Sequence, residues 1–276
     1  MKYAGYIVCM IGTPSIPRPA PELPGTPRIE QPAPGVFVRI AVDVMGWVDM
    51  GSWLLVVDAL EQPELAEGVF RSMAESAGAD KPPRIILNTH LHPDHTALNA
   101  AFAGTFGARI VNARTALPPP EGRTFTGDNG RRVQFIPLPG CHTEEDCIAW
   151  LPDDRVLFAG DLFNWGLIPW DRPLDAAKYA LLTKTYRRLI AFGAETVVAG
   201  HGPAATTAEL RHQLAYYEEL PNAVRRALAD GCSETEIVDG GAIPPPDEMR
   251  DWWRFTLWKH RDSLKKVCRA IRLGRL

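Results

Sequence analysis

Polar side chains that can bind metals or take part in catalysis repeatedly follow short apolar runs typical of β-strands. Residues 89–95, Thr-His-Leu-His-Pro-Asp-His, come directly after the apolar run 84–88, and five of the seven histidines stand after such a run or in the turn that follows. His142, Asp161 and His201 each follow another run of this kind. Loops at one end of the strands of an α/β sheet gather functional groups. The pattern predicts a fold whose strand ends bring these side chains together.

The spacing within this heptapeptide is suited to holding metal ions. In an extended segment alternate side chains point the same way, so His90 and His92 can bind one ion from one side. Pro93 bends the chain after them, and Asp94 and His95 can then face a neighbouring ion. A single histidine after a strand is more often an ordinary polar loop residue, but that explanation does not account for the whole set.

Three residues farther along the chain complete two predicted sites. His142 completes the first site, His201 completes the second, and Asp161 can bridge both. Imidazole and carboxylate donors with no thiolate favour Zn²⁺, and they also accept iron or manganese. We therefore predict two Zn²⁺ ions. The predicted metal ligands are His90, His92, Asp94, His95, His142, Asp161 and His201.

Two ions in such a site would generate a nucleophile for hydrolysis. Ions roughly 3.5 to 4 Å apart share a water and lower its pKa from about 15.7 toward about 7, which produces hydroxide at neutral pH. The leading prediction is a dinuclear metal-dependent hydrolase in which this bridging hydroxide attacks the carbonyl of an ester, thioester or lactone. Asp94 is the predicted catalytic residue, because it can orient the hydroxide as well as bind a metal.

The motifs H-x-H-x-D-H, P-G-x-H-T, F-A-G-D and G-H-G-P resemble those of the metallo-β-lactamase-fold superfamily of metallo-hydrolases, over roughly residues 34–205. The resemblance implies an α+β fold, an αββα sandwich of two packed mixed sheets flanked by helices, with the metals in a groove at one edge of the sheets. It implies the same seven ligands. The stretch 142–161 is most similar to the glyoxalase II, lactonase and thioesterase side of the superfamily, close to the thioesterases and cyclases of aromatic polyketide pathways.

The chain departs from the family pattern at two points. Asp58-Ala59-Leu60 stands where the family usually has Asp-Thr-Gly, and Asp58 is expected to keep a structural role near the site. Cys141 replaces the small residue before His142. Together with Cys147 it could form a cysteine-type zinc site, but the favoured interpretation is a small buried hydrophobe.

Aromatic residues near the predicted metal ligands suggest a substrate pocket. Trp165 and Trp170, with Asn164, lie in the loop that follows Asp161, and Trp47 lies in a predicted loop between the first two predicted strands. The hypothesis is that these side chains line a pocket for a bulky or aromatic acyl group. Plain core positions for the tryptophans are an equally strong alternative.

The chain is predicted to form one large domain. Its 276 residues, 46% of them hydrophobic and 23% charged, can build a sizeable core. Residues 1–34 are predicted to be an N-terminal strand and Pro-rich arm, and residues 35–232 the catalytic domain. Residues 233–276 are predicted to be a C-terminal helical extension packing on that domain, with a last helix over 249–271.

Composition limits the partners and the compartment. A net charge of −3 argues against nucleic acid, and no apolar run reaches the length of a membrane span. Five scattered cysteines fit a reducing cytoplasm, and the apolar residues 3–11 lack the cleavage site of a signal peptide. The expected partner is a small-molecule or carrier-bound acyl substrate, and a homodimer is an open possibility.

Several other activities remain alternatives at this point. They are a β-lactamase-type amide hydrolase, a mono-iron sulfur dioxygenase, and a non-catalytic binding protein on the same scaffold. The superfamily's β-lactamases generally lack a bridging aspartate at the position of Asp161, and its nucleases need an insert that the interval of 40 positions from Asp161 to His201 does not contain. A di-iron redox enzyme would need an appended flavin domain, for which the chain has no room.

Overall fold

Two mixed β-sheets pack against each other in the computed structural model of the chain, which describes residues 27–115, 121–169 and 173–276. Within these ranges the first sheet has six strands in chain order and the second has five in the order β11-β10-β9-β8-β7. The first sheet contains β1 Arg28–Ala33, β2 Val36–Ile40, β3 Val44–Asp49, β4 Leu54–Val57, β5 Pro83–Leu87 and β6 Arg109–Val111. The second contains β7 Arg123–Thr126, β8 Arg132–Pro137, β9 Cys147–Leu151, β10 Val156–Gly160 and β11 Thr196–Ala199.

Helices cover the outer faces of both sheets. The α-helices of the described ranges are α1 Ala66–Ala77, α2 Pro93–Thr96, α3 Asn99–Phe106, α4 Ala176–Ala191, α5 Thr207–Ala229, α6 Glu234–Val238 and α7 His260–Arg272. Strand pairing is antiparallel except for β4 with β5, β5 with β6, and β10 with β11. The predicted αββα sandwich is confirmed.

Alternation along the strands builds the layer between the sheets. Val38, Val48 and Leu55 of the first sheet share one buried apolar cluster with Phe135 and Phe158 of the second. Successive side chains of a strand point to opposite faces, so the residues between them face the helices instead. Most strands are therefore apolar on both faces, which explains why they read as continuous apolar runs.

The outer layers are separate clusters on the two sides of the sandwich. On one side Phe37, Trp47 and Val56 pack against Met73 of α1 and Phe102 of α3. On the other side Trp150 and Leu157 belong to a cluster with Leu189 of α4, Leu210 of α5 and Val267 of α7. The C-terminal helix thus shares a core with the second sheet.

The capping chemistry of the helices follows from the sequence. Thr206 and Glu209 form a capping box at the start of α5, and Ser233 and Glu236 form another at the start of α6. Helix α5 continues through Pro221, although the sequence predicts a break in the helix at this proline. A proline leaves the carbonyl four residues earlier without its usual donor. Here the Tyr179 hydroxyl donates to the Tyr217 carbonyl at 2.6 Å, and the helix continues.

Two other sequence-based assignments are wrong. The apolar stretch 45–51, predicted as a loop, supplies most of β3. The predicted helix over 249–271 is instead a 3₁₀ turn at Asp247–Met249, a π-helical segment at Phe255–Lys259, and α7. Arg254, with φ of 55°, separates the first two pieces, because a left-handed residue cannot continue a right-handed helix.

The boundaries of the predicted domains stay predictions. Strand β1 lies inside the predicted arm and pairs with β2 as the edge of the first sheet, so the sandwich already includes residues before 35. Residues 1–26 of that arm lie outside the described residues. In the ranges that the structure describes, none of the helices has the length and apolarity to cross a membrane.

Candidate metal centre

The predicted ligands meet at one edge of the sandwich. His90 and His92 follow β5 of the first sheet, whereas His142, Asp161 and His201 follow strands of the second sheet. Backbone hydrogen bonds join the sheets at this edge, from Val44 N to Gly200 O at 3.0 Å and from Cys147 N to Thr89 O at 2.6 Å. The strand ends of both sheets therefore contribute to a single site.

Three histidines form the first group. One ligand atom from each of His90, His92 and His142 lies within 4.8 Å of the others. The His142 Nε2 atom lies 3.1 Å from the His92 Nδ1 atom. These two nitrogens face each other, so His92 presents Nδ1 and His142 presents Nε2 to the space between them.

Asp94, His95 and His201 form the second group. The His201 Nε2 atom lies 3.2 Å from Asp94 Oδ2, and the His95 Nε2 atom lies 3.7 Å from the same oxygen. His95 is fully buried, whereas the Asp94 side chain is 26% exposed. Asp94 is therefore the carboxylate of this group that faces solvent.

Asp161 lies between the two groups. Its Oδ1 atom is 3.4 Å from both His95 Nε2 and His201 Nε2, and its Oδ2 atom is 3.5 Å from His142 Nε2. Each carboxylate oxygen thus faces a different group. This is the arrangement that a bridging ligand requires, and the structure brings all seven predicted ligands together.

Other side chains fix the orientation of the second group's imidazoles. Asp58 Oδ2 lies 2.9 Å from His95 Nδ1, and the same carboxylate accepts from the backbone N–H and the hydroxyl of Thr89, both at 2.8 Å. His201 Nδ1 lies 3.1 Å from the Val42 carbonyl oxygen and 3.3 Å from Asp43 Oδ1. Each of these two histidines therefore presents Nε2 to the site.

The first group's imidazoles have neutral partners. His142 Nδ1 donates to the Pro169 carbonyl at 2.7 Å, and His90 Nδ1 lies 3.3 Å from the Thr89 hydroxyl. Asp146 holds the loop of His142 by accepting from the backbone N–H of His142 at 2.7 Å and of Thr143 at 2.9 Å. The backbone of the loop, rather than a charged partner on the ring, positions His142.

The carboxylates of the centre stay ionised. Burial opposes the ionisation of Asp94, but hydrogen bonding and charge from His201 and His95 outweigh it and lower the pKa of Asp94 to about 2. The same two imidazoles hold the pKa of Asp161 well below its usual range, again against burial. Two carboxylates that stay negative at neutral pH attract a cation to this edge.

The histidines differ in their affinity for a proton. Burial, with repulsion from neighbouring imidazoles, lowers the pKa of His90 to about 2. Burial also opposes protonation of His95, but Asp58 and Asp161 outweigh it and raise the pKa of His95 to about 10. Burial likewise opposes protonation of His201, but Asp161, Asp43 and Asp94 outweigh it and raise the pKa of His201 to about 12. A metal ion must displace protons from His95 and His201 to bind there.

The residues present fit a metal ion. His90 Nε2, His95 Nε2 and Asp161 Oδ1 are buried and have no hydrogen-bond partner among the residues that the structure describes. A buried polar atom without a partner is costly, and coordination to a cation would satisfy all three. Nitrogen and oxygen donors of this kind suit Zn²⁺, iron or manganese.

Cys141 and Cys147 are not part of the centre. Cys141 belongs to the apolar cluster beside α4, and Cys147 belongs to the cluster between the sheets. Burial raises the pKa of Cys141 above its ordinary value and that of Cys147 to about 12, so both stay thiols, which are poor ligands. The groups of possible ligands found in the described part of the chain contain only histidine and aspartate.

Trp47 and Trp165, two of the four proposed pocket residues, lie in the core. Trp47 is fully buried in β3, where it stacks on Phe37 and donates from Nε1 to the Ser76 hydroxyl at 3.0 Å. Trp165 is fully buried beside Phe163, and its Nε1 donates to the Pro203 carbonyl at 3.1 Å. The prediction that these tryptophans line a pocket is therefore wrong, since neither ring has a surface to offer a substrate.

The other two pocket residues have different outcomes. Trp170 lies outside the described residues. Asn164 is buried, and both its carbonyl oxygen and its Oδ1 atom accept from Lys259 Nζ, at 3.1 and 2.6 Å. Burial lowers the pKa of Lys259 to about 6. The Lys259 Nζ atom also lies 4.1 Å from the centre of the Trp253 ring, which packs against Gly202 beside His201.

Sequence reasoning missed two residues near the centre. Asp43 follows β2 at the same edge, so the pattern of polar residues after apolar runs could have found it. It lies within 4.8 Å of ligand atoms of Asp94 and His201. Lys259 falls inside a segment that reads as a simple amphipathic helix, and no local signal marks it.

A known family matches the part of the chain that carries these ligands. The profile described as the metallo-beta-lactamase superfamily matches residues 48–133 and 109–201, which together cover more than half of the chain. The chain belongs to the metallo-β-lactamase superfamily. The resemblance inferred from the motifs is confirmed, and family membership together with the donor set implies binding of divalent metal ions.

Individual members of the superfamily are only partly similar to this chain. A hydroxyacylglutathione hydrolase of Rhizobium meliloti is 38% identical over 89 residues, which are 29% of this chain and 34% of that protein. This chain thus spans about a third of the length of that relative. Two solved structures share the fold at low identity. A metallo-beta-lactamase from Pontibacter korlensis has a TM-score of 0.57 and 17% identity, covering 70% of this chain and 99% of its own. A stereoselective inverting sec-alkylsulfatase from Pseudomonas sp. has a TM-score of 0.67 and 15% identity, covering 90% of this chain and 50% of its own.

Proposed function

We propose that this member of the superfamily is a dinuclear metal-dependent hydrolase that cleaves a thioester, ester or lactone. The observation that carries the proposal is the position of Asp161, whose two oxygens face two groups of ligands 3.4 and 3.5 Å away. One carboxylate shared in this way fits two neighbouring ions rather than one. We propose Zn²⁺ for both, with iron or manganese as alternatives.

When bound, two ions would supply a water with a lowered pKa and would polarise the carbonyl of the substrate. The residues of the chain then hold and orient the reactants. His90, His92 and His142 hold the first ion, and the second group holds the other. Asp58 beside His95, and the Val42 carbonyl with Asp43 beside His201, would keep Nδ1 protonated and Nε2 directed at the site.

Asp94 is proposed to act on the attacking water. Its carboxylate is the one in the second group that faces solvent, and its lowered pKa keeps it an acceptor at neutral pH. An ionised carboxylate in this position can accept a hydrogen bond from the water and orient it. This role supplements metal binding by the same side chain.

A thioester is the first substrate class to test. The relative from Rhizobium meliloti is named for the hydrolysis of a hydroxyacylglutathione, which is a thioester, but it is matched over only part of its length. Esters and lactones have the same electrophilic carbonyl and stay in the proposal.

The test is a substrate panel on protein of known metal content. Acyl-thioesters, aryl esters, lactones and nitrocefin are assayed with metal-loaded protein, with protein stripped by a chelator, and after zinc is restored. We expect turnover of one of the first three classes, loss on stripping and recovery with zinc. Asp161→Asn should lose turnover, whereas His212→Gln should keep it, because His212 lies on α5 against Trp252. Turnover that survives stripping, or turnover of nitrocefin alone, would contradict the proposal.

A further inference from the structure

The two groups of ligands differ in what binds the far side of their imidazole rings. In the second group, Asp58 lies 2.9 Å from His95 Nδ1, and His201 Nδ1 has both the Val42 carbonyl oxygen at 3.1 Å and Asp43 Oδ1 at 3.3 Å. In the first group, the corresponding partner of His142 is the Pro169 carbonyl. The partner of His90 is the Thr89 hydroxyl, which is itself directed at Asp58 as a donor. Charged acceptors thus support only one of the two groups.

The carboxylates also lie mainly around the second group of ligands. Asp94 and Asp161 face the second group directly, and Asp43 and Asp58 lie behind its histidines. The first group has Asp161 at 3.5 Å from His142, and a ligand atom of Asp94 lies within 4.8 Å of one from His90, but the far ring nitrogens of His90 and His142 face a hydroxyl and a carbonyl. Attraction between charges falls with distance, so a dication in the second group interacts with more carboxylate charge at short range.

A carboxylate on the far nitrogen of a ligand imidazole has two physical effects. It fixes the tautomer and the ring orientation, and it makes the nitrogen that faces the metal more basic. Loss of such a partner typically weakens metal affinity by about 10- to 100-fold. A neutral carbonyl or hydroxyl orients the ring but adds less to its basicity.

We propose that the two sites are unequal, and that the site of Asp94, His95 and His201 binds its ion more tightly and fills first. Asp43 is a positioning residue for this site, acting through His201, and Asp58 has the same role for His95. The inference deepens the proposed function and rests on its assumption of two ions. Asp43 lies outside the motifs that mark the superfamily in this sequence.

Ligand variants that leave one site each test the order of affinities. Metal-free His92→Ala and His201→Ala are titrated with Co²⁺ in competition with a chelator, and binding is followed by visible absorption. His92→Ala should keep the tighter affinity of the wild type. His201→Ala should bind its remaining ion at least about tenfold more weakly than His92→Ala binds its own. The reverse order, or equal affinities, would overturn the inference.

Substitution of the positioning residue tests the cause. Asp43→Asn should weaken the tighter of the two wild-type affinities by about 10- to 100-fold and leave the weaker one unchanged. The matched control is Asp49→Asn, because Asp49 pairs with Lys81 away from the centre. A variant of Asp43 that binds both ions as tightly as the control would remove Asp43 from this role.

A measurement on the wild type keeps the inference testable if a variant does not fold. With one equivalent of Co²⁺, imidazole N–H protons of the occupied site are shifted in the proton NMR spectrum. Occupation of the second site gives two such protons, from His95 and His201. Occupation of the first gives three, because His90, His92 and His142 each keep one. Two shifted protons support the inference and three overturn it. A saturating stoichiometry of one ion per chain would instead refute the two-ion function.

Discussion

A methyl group added at Gly200 should displace the bridging carboxylate. Gly200 precedes His201, and a Cβ atom at this position would overlap Asp161 Oδ1. The same atom would lie 3.0 Å from His95 Cε1 and 3.0 Å from the Gly160 carbonyl carbon, so it cannot move away freely. The Asp161 carboxylate must therefore retreat by about 1.5 Å to reach an ordinary contact distance.

The expected result of Gly200→Ala is a defect of the site rather than of the fold. A misplacement of about 1 Å at a catalytic group can lower the rate about 100-fold. We expect this loss in kcat/KM, together with weaker metal binding, since Asp161 faces both groups. The free energy of unfolding should fall by about 1 to 3 kcal/mol, the usual range for an overpacked position.

Three measurements separate these effects: metal content after dialysis against a chelator, kcat/KM on the best substrate, and unfolding by urea without metal. The control is Gly104→Ala in α3, where an added Cβ meets nothing within 4 Å. That change should stabilise the chain by about 0.5 to 1 kcal/mol and leave the metal content unchanged. If Gly200→Ala holds both ions as tightly as this control, the placement of Asp161 is wrong.

Further predictions concern Lys259, Trp47 and the metals. The pKa of Lys259 is about 6 in the folded chain against 10.5 in the unfolded one, so between these values the unfolded state holds one more proton and unfolding free energy rises with pH. Lys259→Met should remove this dependence, which approaches about 1.4 kcal/mol of unfolding free energy per pH unit in the wild type. Urea unfolding of both proteins from pH 6.5 to 9 measures it. Equal slopes in the wild type and the variant would contradict the burial of a neutral amine. Trp47→Phe should cost about 1 kcal/mol by removing the bond to Ser76 and leave KM unchanged, whereas a changed KM would restore the pocket hypothesis. Removal of metal should lower Tm, and a Tm indifferent to chelation would show that the ions do not bind the folded state preferentially.

The sequence was sufficient to predict which side chains meet at this edge, because their signal is local and repeated. Each ligand follows an apolar run that is long enough for one strand, and parallel strands such as β10 and β11 end at a common edge. The H-x-H spacing adds a second local constraint. Convergence of the two sheets at this edge follows from the fold, and the resemblance to the superfamily supplied it.

The errors occur where packing over long distances decides the conformation. Strand β3 carries Gly46 and Met45, which suggested a loop, but its backbone pairs along its length with β2 and β4. The left-handed turn at Arg254 places Trp253 against Gly202 and directs Lys259 to Asn164. Helical spacing alone does not reveal such contacts, since they depend on residues more than 50 positions away.

The structure has no bearing on some of the predictions made from the sequence, and these stay predictions. They include the cytoplasmic location, the homodimer, and a carrier-bound form of the substrate. The role of residues 1–26 belongs with them.

Metal content of the purified, active protein is the most direct test of the account. Elemental analysis should give two transition metal ions per chain in the wild type. His92→Ala and His201→Ala should each retain one, because each variant loses a ligand of a different group. One ion or fewer per chain in active protein, or two ions in both variants, would contradict the central claim that these residues hold a pair of ions.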